Sequence, residues 1–308
     1  MKRSIVLGVL IAAGALSLLV AAQQQAQGPK VIEVTKLKDN LFVLKGGGGN
    51  TAVFIMADGV TVVDAKNPGW GQPILDKIKE LTNKPVIRLI NTHTHADHVS
   101  GNVEFPATVD IVTQENTKAN MEKMVAPTGF PPATTNIFKE NNGRGMPRRT
   151  FKDKMSIGKG SDRVDLYYFG RAHTNGDAWV VFPSLRVMHA GDVFSGKNIP
   201  LLDANNGGSG LAIPDTLQRA YDTVREVDTI ITGHSTEMTR PDLKEYSDFN
   251  REFLNDVRAA KSAGKSVDEV ASTWKIPAKY AGYAAPMPDR LKANVQIVYD
   301  ELNTAGSR

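Results

Sequence analysis

The chain of 308 residues contains no cysteine. This absence excludes disulfide frameworks, thiol nucleophiles, iron–sulfur clusters and cysteine-based zinc fingers. Charge of one sign is not in large excess either, because 37 Lys and Arg residues face 33 Asp and Glu residues. Hydrophobic residues make up 41% of the chain and charged residues 23%, which excludes wholesale disorder. The length suits one large domain or two small ones.

A long hydrophobic run lies near the N-terminus, from Ile5 to Ala22, after Lys2 and Arg3. A basic start, an apolar middle and small residues before Gln23 are typical of a secretory signal peptide. We therefore expect cleavage after Ala22 and a periplasmic or secreted protein, with membrane contact only through this segment. An uncleaved anchor helix is the alternative, because the run approaches the ~20 residues that span a bilayer.

The mature chain carries little net charge. Removal of residues 1–22 leaves 35 basic residues against 33 acidic ones, a net charge of +2. A charge this small argues against nucleic acid as a partner. We expect a small-molecule substrate, and the sequence does not indicate the oligomeric state.

Short apolar segments alternate with helical patterns along the rest of the chain. Because the segments rich in Val, Ile, Thr and Phe are bounded by turn residues, they predict strands. Residues 73–81 and 214–227 have helical spacing, and residues 241–304 are predicted helical with breaks near Gly264 and between Pro277 and Pro288. This order predicts an α/β sandwich with sheets inside and helices outside. The expected organisation is a signal peptide at 1–22, a catalytic domain at 23–240 and a helical C-terminal extension at 241–308.

Three of the six histidines lie within six residues, in the segment Asn-Thr-His93-Thr-His95-Ala-Asp97-His98. A single histidine is ordinarily a satisfied core residue, but that interpretation does not explain three in one turn. Since the segment follows the apolar strand predicted at 86–90, His93 and His95 point to the same side. Asp97 and His98 then face a neighbouring position. The spacing predicts a metal site.

Three further candidate ligands follow apolar strands in the same manner. His173 comes after residues 165–169, Asp192 after residues 185–188, and His234 after residues 229–231. Each alone is more easily read as structural, but together with the histidine cluster they favour one site on a rim of strand ends.

With these residues in place, the chain resembles the metallo-β-lactamase superfamily over about residues 30–240. The resemblance implies an αββα four-layer sandwich with two metal ions at one edge of the sheets. It implies that His93, His95 and His173 hold the first ion, that Asp97, His98 and His234 hold the second, and that Asp192 bridges both. The classical β-lactamase branches have Cys or Ser in place of Asp192, whereas the glyoxalase II, lactonase and ribonuclease Z branches have a bridging Asp.

Five imidazoles and two carboxylates without a thiolate suit Zn²⁺ and are acceptable to Fe or Mn. Zinc is the first choice, because histidine-rich sites with room for water are its usual catalytic form. Two Zn²⁺ ions about 3.5–4 Å apart would share a water and lower its pKa to roughly 7, so that hydroxide is the nucleophile. Asp97 is predicted to orient this hydroxide.

Other residues are predicted to support the site or to contact substrate. Asp64 is expected to brace the metal loop, residues 91–98, by hydrogen bonding. Asp177 either orients an imidazole or is a turn carboxylate. His189 has no ligand position left and is interpreted as structural. The candidate substrate loops are a flap that contains Gly48 and Asn50, a loop that contains Trp70 and a loop that contains Lys197. The last two are expected to form walls of the substrate cleft.

The leading functional hypothesis is an exported dinuclear zinc hydrolase of a cyclic amide or ester, with β-lactams as the first named class. The alternatives are a lactonase or a thioesterase of the glyoxalase II type with the same metals. A hypothesis from another class is iron-dependent oxygen chemistry, as in the persulfide dioxygenase branch. Metal analysis and a substrate panel separate these hypotheses.

Overall fold

The computed structural model describes residues 30–305. The predicted signal peptide at 1–22 lies outside these residues, as do residues 306–308. Within the described part, none of the helices is both long and apolar enough to cross a membrane.

The first sheet contains seven strands in chain order. Strands β1 to β4 are antiparallel, and β4 to β7 run parallel to one another. The parallel half places the ends of β4 and β5 at the same edge, where the histidine segment begins. The strands are β1 Glu33–Lys38, β2 Leu41–Lys45, β3 Thr51–Ile55, β4 Val60–Val63, β5 Val86–Ile90, β6 Asp110–Gln114 and β7 Arg149–Phe151.

The second sheet contains five strands in the spatial order β12-β11-β10-β9-β8. Its pairs are antiparallel except for β11 and β12, which are parallel. The strands are β8 Lys154–Ile157, β9 Val164–Tyr167, β10 Trp179–Phe182, β11 Val187–His189 and β12 Thr229–Ile231.

Eight α-helices lie within residues 30–305. They are α1 Gly71–Leu81, α2 Ala96–Val99, α3 Glu115–Met121, α4 Ile137–Glu140, α5 Ile213–Thr223, α6 Arg240–Ser262, α7 Val267–Thr273 and α8 Pro288–Ala305. Helices α6 and α7 both begin with a capping box, in which the side chains of Thr239 and Ser266 satisfy the first backbone donors.

Alternation along the strands divides the core into layers. Leu41, Val43 and Phe54 face the second sheet, where Phe54 meets Phe182 at a ring distance of 5.1 Å. Leu44, on the opposite face of β2, packs in the layer that includes α1. Because successive side chains point to opposite faces, a strand that is buried on both faces contributes to two layers of the core.

The outer face of the second sheet is covered by helices. Trp179 and Met188 share a core with Leu217 of α5, Phe249 of α6 and Val298 of α8. The four layers are therefore helix, sheet, sheet and helix, and the C-terminal helices complete the outer layer. This arrangement confirms the predicted αββα sandwich with a helical extension.

Several elements differ from the sequence-based prediction. Strands β6, β7 and β8 were not predicted, because they are short and partly polar, as in Asp-Ile-Val-Thr-Gln of β6. Helix α5 ends at Thr223 rather than 227, and β11 begins at Val187 rather than 185.

Candidate metal centre

The histidine segment leaves β5 and turns at once into the short helix α2. His95 is the residue before this helix and is extended, with φ −65° and ψ 145°. The backbone N–H groups of His98 and Val99 donate to the carbonyl of His95, at 2.9 and 3.1 Å. This sharp turn puts His98 on the site side while His93 and His95 remain at the strand end.

Three imidazoles converge on one point. The rings of His93, His95 and His173 lie 4.5 to 4.7 Å apart. Nδ1 of His95 lies 3.0 Å from Nε2 of His173. Their nitrogen atoms and a carboxylate oxygen of Asp192 lie within 4.8 Å of one another, so that these four residues could hold a metal ion.

A second group lies beside the first. A carboxylate oxygen of Asp97 and one nitrogen each of His98 and His234 lie within 4.8 Å of one another. Nε2 of His98 is 3.2 Å from Nε2 of His234, and Oδ2 of Asp97 is 3.2 Å from the same His234 atom. These three residues could hold a second ion.

Asp192 lies between the two groups. Its Oδ2 is 3.3 Å from Nε2 of His234 and 3.8 Å from Nε2 of His173, while its Oδ1 is 3.3 Å from Nε2 of His98. The structure thus brings all seven predicted ligands together, with Asp192 where a bridging carboxylate would be.

The donor set fits divalent cations. Nε2 of His93 is buried and has no hydrogen-bond partner within residues 30–305, while its Nδ1 is 3.0 Å from the hydroxyl of Thr92. A buried nitrogen without a partner is costly unless something binds it. Burial, followed by the charges of neighbouring histidines, lowers the pKa of His93 well below its usual value, which keeps the imidazole neutral as metal binding requires.

The second group attracts positive charge. Burial acts to lower the pKa of His98, but Asp192, Asp97 and Asp64 raise it well above its usual value. Burial also acts to lower the pKa of His234, but the hydrogen bonds that its ring donates to Asp192 and Asp97 raise this pKa to about 9. These carboxylates favour protons on His98 and His234, so the position equally favours a cation.

Asp64 forms hydrogen bonds with the segment that carries the three clustered histidines. Its carboxylate accepts hydrogen bonds from the backbone N–H and hydroxyl of Thr92, at 2.8 and 2.7 Å, and its Oδ2 lies 2.7 Å from Nδ1 of His98. Asp64 adopts a left-handed conformation with φ 65°. Such strain persists only where the surroundings impose it.

Asp203 was missed in the sequence analysis. Its Oδ2 lies 2.7 Å from Nε2 of His95, which directs Nδ1 of His95 into the site. It also accepts from the backbone N–H of Thr128 and from the side chain of Asn206. The sequence signal is weak, an aspartate flanked by the apolar residues Leu202 and Ala204, and 108 residues separate it from its imidazole.

Two other predicted residues have hydrogen-bond partners outside the proposed ligand set. The carboxylate of Asp177 accepts from the N–H and hydroxyl of Thr174 and is a turn carboxylate, rather than an acceptor for an imidazole. Nε2 of His189 lies 3.0 Å from the carbonyl oxygen of Asn50, consistent with a structural role.

The predicted substrate loops require correction. The side chain of Asn50 donates to the carbonyls of Thr232 and Ser235, and thereby ties the flap to the loop that carries His234. Lys197 forms ion pairs with Asp242 and Glu245 of α6, at 3.0 and 3.1 Å, because these acidic residues face it from the first turns of the helix. Its amine is thus committed to α6 and does not line the cleft.

Gly48 and Trp70 instead pack around the metal loop. A side chain at Gly48 would collide with the carbonyl of Asp97, and one at Gly47 would collide with the ring of Trp70. Trp70 thus covers the flap at Gly47, and neither Gly48 nor Trp70 lines the cleft.

The cleft above the two groups has a volume of about 610 Å³. Its walls come from the metal loop, the segment around Phe130, the loop around Leu201 and the start of α8. Its lining residues are Asn67, His95, Ala96, Asp97, Pro127, Phe130, Asp192, Ser195, Asn198, Leu201, His234, Ser235 and Arg290.

Sequence comparison identifies relatives with hydrolase names. A hydroxyacylglutathione hydrolase from Crocosphaera subtropica is 30% identical over 164 residues, covering 53% of this chain and 51% of that protein. The metallo-beta-lactamase type 2 of Elizabethkingia meningoseptica is 27% identical over 172 residues, covering 52% of this chain and 61% of that protein. The matched regions thus span about half to three fifths of these relatives.

Solved structures share the fold. A metallo-beta-lactamase from Pontibacter korlensis superposes with a TM-score of 0.58 at 19% identity, covering 72% of this chain and 99% of that one. The sec-alkylsulfatase Pisa1 from Pseudomonas sp. gives a TM-score of 0.69 at 13% identity, covering 88% of this chain and 50% of that one. The family model of the metallo-beta-lactamase superfamily matches residues 44–234, more than half of the sequence. The chain therefore belongs to the metallo-beta-lactamase superfamily.

Proposed function

We propose that the protein is a dinuclear zinc hydrolase that cleaves a small carbonyl substrate. The observation that carries the proposal is the meeting of seven ligand-type side chains from four strand ends, in two adjoining groups with Asp192 between them. The hydrolase names of the sequence relatives support the same reaction class.

In this proposal, His93, His95 and His173 hold one ion and Asp97, His98 and His234 hold the other. Asp192 contacts both groups and fixes their separation. When bound, divalent ions supply Lewis acidity and make hydroxide available near neutral pH. Zinc fits best because the site offers imidazoles and carboxylates with no thiolate.

The chain's own side chains then have distinct tasks. The Asp97 side chain is 31% exposed and lines the cleft, so its carboxylate orients the attacking water by hydrogen bonding. Asp203 and Asp64 fix which nitrogen of His95 and His98 points inward. The cleft walls hold the substrate and exclude bulk water, which strengthens every charge interaction inside.

The proposed substrate is a cyclic amide or ester, with β-lactams as the first class to test. The carboxylate at position 192 favours a second candidate, hydrolysis of lactones or thioesters, because the resemblance associates a bridging Asp with those branches. A relative named hydroxyacylglutathione hydrolase supports this second candidate.

A substrate panel on one zinc-reconstituted preparation tests the proposal. Nitrocefin, a γ-lactone and a hydroxyacylglutathione are assayed beside Asp97→Asn, which should lose turnover by about 10²-fold or more. Asp222→Asn, at a surface position of α5, is the control and should retain it. Absence of turnover on the whole panel would contradict the hydrolase assignment. One iron ion per chain together with sulfur-dependent oxygen uptake would favour the dioxygenase hypothesis in its place.

We propose further that residues 1–22 direct export and are removed. Support comes from the basic start and apolar run that end at Ala22. N-terminal sequencing of the protein from a periplasmic fraction should begin at Gln23. A full-length chain retained in the membrane fraction would indicate the anchor instead.

A further inference from the structure

One cation enters the wall of the metal cleft from the C-terminal extension. Arg290, in the first turn of α8, lines the cleft together with His95, Asp97 and Asp192. Lys and other Arg side chains do not appear among the lining residues, so that within the described chain Arg290 is the only permanent positive charge there.

Helix α8 is fixed at the loop that forms this wall. Asn294, one turn after Arg290, donates to the carbonyl of Pro200 at 2.7 Å. The neighbouring carbonyl of Leu201 lies 2.6 Å from Nδ1 of His173. Because positions i and i+4 lie on the same helix face, this anchor turns Arg290 toward the cleft. A loop that orients a proposed metal ligand thus also positions the guanidinium.

The far end of α8 is anchored as well. Glu301 accepts hydrogen bonds from the hydroxyl of Ser209, at 2.5 Å, and from the backbone N–H of Leu211, at 3.0 Å. Leu291, beside Arg290, is buried in the helical core. Contacts near Arg290 and at the far end of α8 therefore fix the helix, and the helix fixes the position of Arg290.

The guanidinium of Arg290 has no ion pair or hydrogen bond to any residue of the described chain 30–305. Lys197, the predicted substrate cation, is by contrast held between two carboxylates of α6. Arg290 and Asp192 both line the cleft, so the guanidinium faces the same space as the candidate metal ligands. An unsatisfied guanidinium beside a metal cleft is ready to bind an anion.

Apolar side chains provide the rest of this wall. Phe130 is 54% exposed and lines the cleft with Pro127 and Leu201. A large apolar side chain left this exposed at a cleft is a contact surface for an apolar ligand group. The wall therefore combines one cation with an apolar surface.

We infer that Arg290 is a specificity-determining residue that binds a carboxylate of the substrate, which makes the substrate class small monoanionic carbonyl compounds with an apolar group. This inference rests on the proposed function for its reaction, but the binding site itself is testable without turnover. A planar guanidinium matches a carboxylate in two parallel hydrogen bonds, which a lysine cannot reproduce.

The test uses 4-phenylbutyrate and its neutral analogue 4-phenylbutanamide as binding probes in calorimetry on the zinc-loaded protein. Wild type should bind the acid at least tenfold more tightly than the amide. Arg290→Gln should lose about tenfold or more in affinity for the acid and little for the amide, and Arg290→Lys should fall between. Lys292→Gln, which removes the same charge from α8 at an exposed residue paired with Asp268, should change neither.

Equal affinity of wild type and Arg290→Gln for 4-phenylbutyrate would overturn the inference, because the carboxylate would then bind the metal ions alone. Absence of binding to wild type would overturn it too. If Arg290-dependent binding persists while the substrate panel gives no turnover, the proposed function fails and the carboxylate site stands. With an active panel, the same variant should raise KM for acidic substrates and leave KM for neutral ones unchanged.

Discussion

Oδ2 of Asp203 lies 2.7 Å from Nε2 of His95, across 108 positions of sequence, and this contact decides which nitrogen of His95 faces the metal centre. Burial acts to raise the pKa of Asp203, but its bonds with His95, Asn206 and Thr128 bring it down to about 2. The carboxylate is therefore charged throughout the physiological range and holds an imidazole N–H.

Asp203→Asn should weaken metal binding at the first group by about 10 to 100-fold, because the amide preserves the shape but loses the charged acceptor. Competition with a chromogenic chelator measures this affinity directly. Asp215→Asn, at a side chain 60% exposed and paired with Arg251, is the matched control. Unaltered zinc affinity in Asp203→Asn would show that the His95 contact has no role in metal binding.

The second group depends on Asp64 in the same way. Asp64→Asn retains a residue type that tolerates the left-handed φ of 65°, but it weakens the contact with Nδ1 of His98. We expect the second ion to bind about 10 to 100-fold more weakly, with the first less affected. Stepwise zinc titration should resolve two affinities whose ratio widens in the variant. Equal weakening of both ions would indicate that Asp64 supports the loop as a whole.

Gly233 leaves the space in which Asp192 lies. A Cβ at this position would overlap Oδ1 of Asp192, and the φ of Gly233 is not in the left-handed region, so that the effect of alanine is steric alone. Gly233→Ala should displace the carboxylate and reduce zinc content and turnover, while the melting temperature falls by only a few degrees. Gly264→Asn, where the added side chain meets open space, should leave zinc content unchanged. Full zinc content in Gly233→Ala would contradict the assignment of Asp192 as the residue that bridges the two ions.

Lys66 is a fully buried lysine beneath the metal loop. Its ammonium donates to the carbonyls of Leu44 and Gly49, at 2.9 and 2.7 Å. These two hydrogen bonds hold the flap that contains Gly48 against the metal loop. Lys66→Met should destabilise the fold by about 1–3 kcal/mol, because two buried carbonyls lose their donor. Chemical denaturation near pH 7 measures this change, and Lys79→Met, at a side chain of α1 that is 73% exposed, is the control.

The same lysine makes stability depend on pH. Burial is the largest influence and, against the charges of Asp64 and Asp97, lowers the pKa of Lys66 to about 8. Between about pH 8 and pH 10.5 the unfolded chain binds this proton and the folded chain does not, so the free energy of unfolding from this group rises with pH across that window. Wild type should show a steeper rise than Lys66→Met in denaturation at pH 8 and pH 10. Parallel pH dependence in the two proteins would contradict the lowered pKa.

The layers and the positions of the candidate ligands could be predicted from the sequence because both depend on local patterns. Candidate ligands such as His173 and His234 come within six residues of the ends of apolar strands, so periodicity and residue type locate them. Asp203, Lys66 and Arg290 could not be found in this way, because their roles arise from contacts between segments far apart in the chain. Strands such as β6 were missed because their apolar runs are too short to stand out from the turns beside them.

The most direct test of the account is the zinc content of the purified, reconstituted protein, measured by mass spectrometry beside His95→Ala. Two ions per chain are expected for wild type, with metal content and turnover both reduced by orders of magnitude in the variant. The dinuclear centre would be contradicted if the wild-type chain failed to take up zinc in stoichiometric amounts. Full zinc content and full turnover in His95→Ala would contradict it as well.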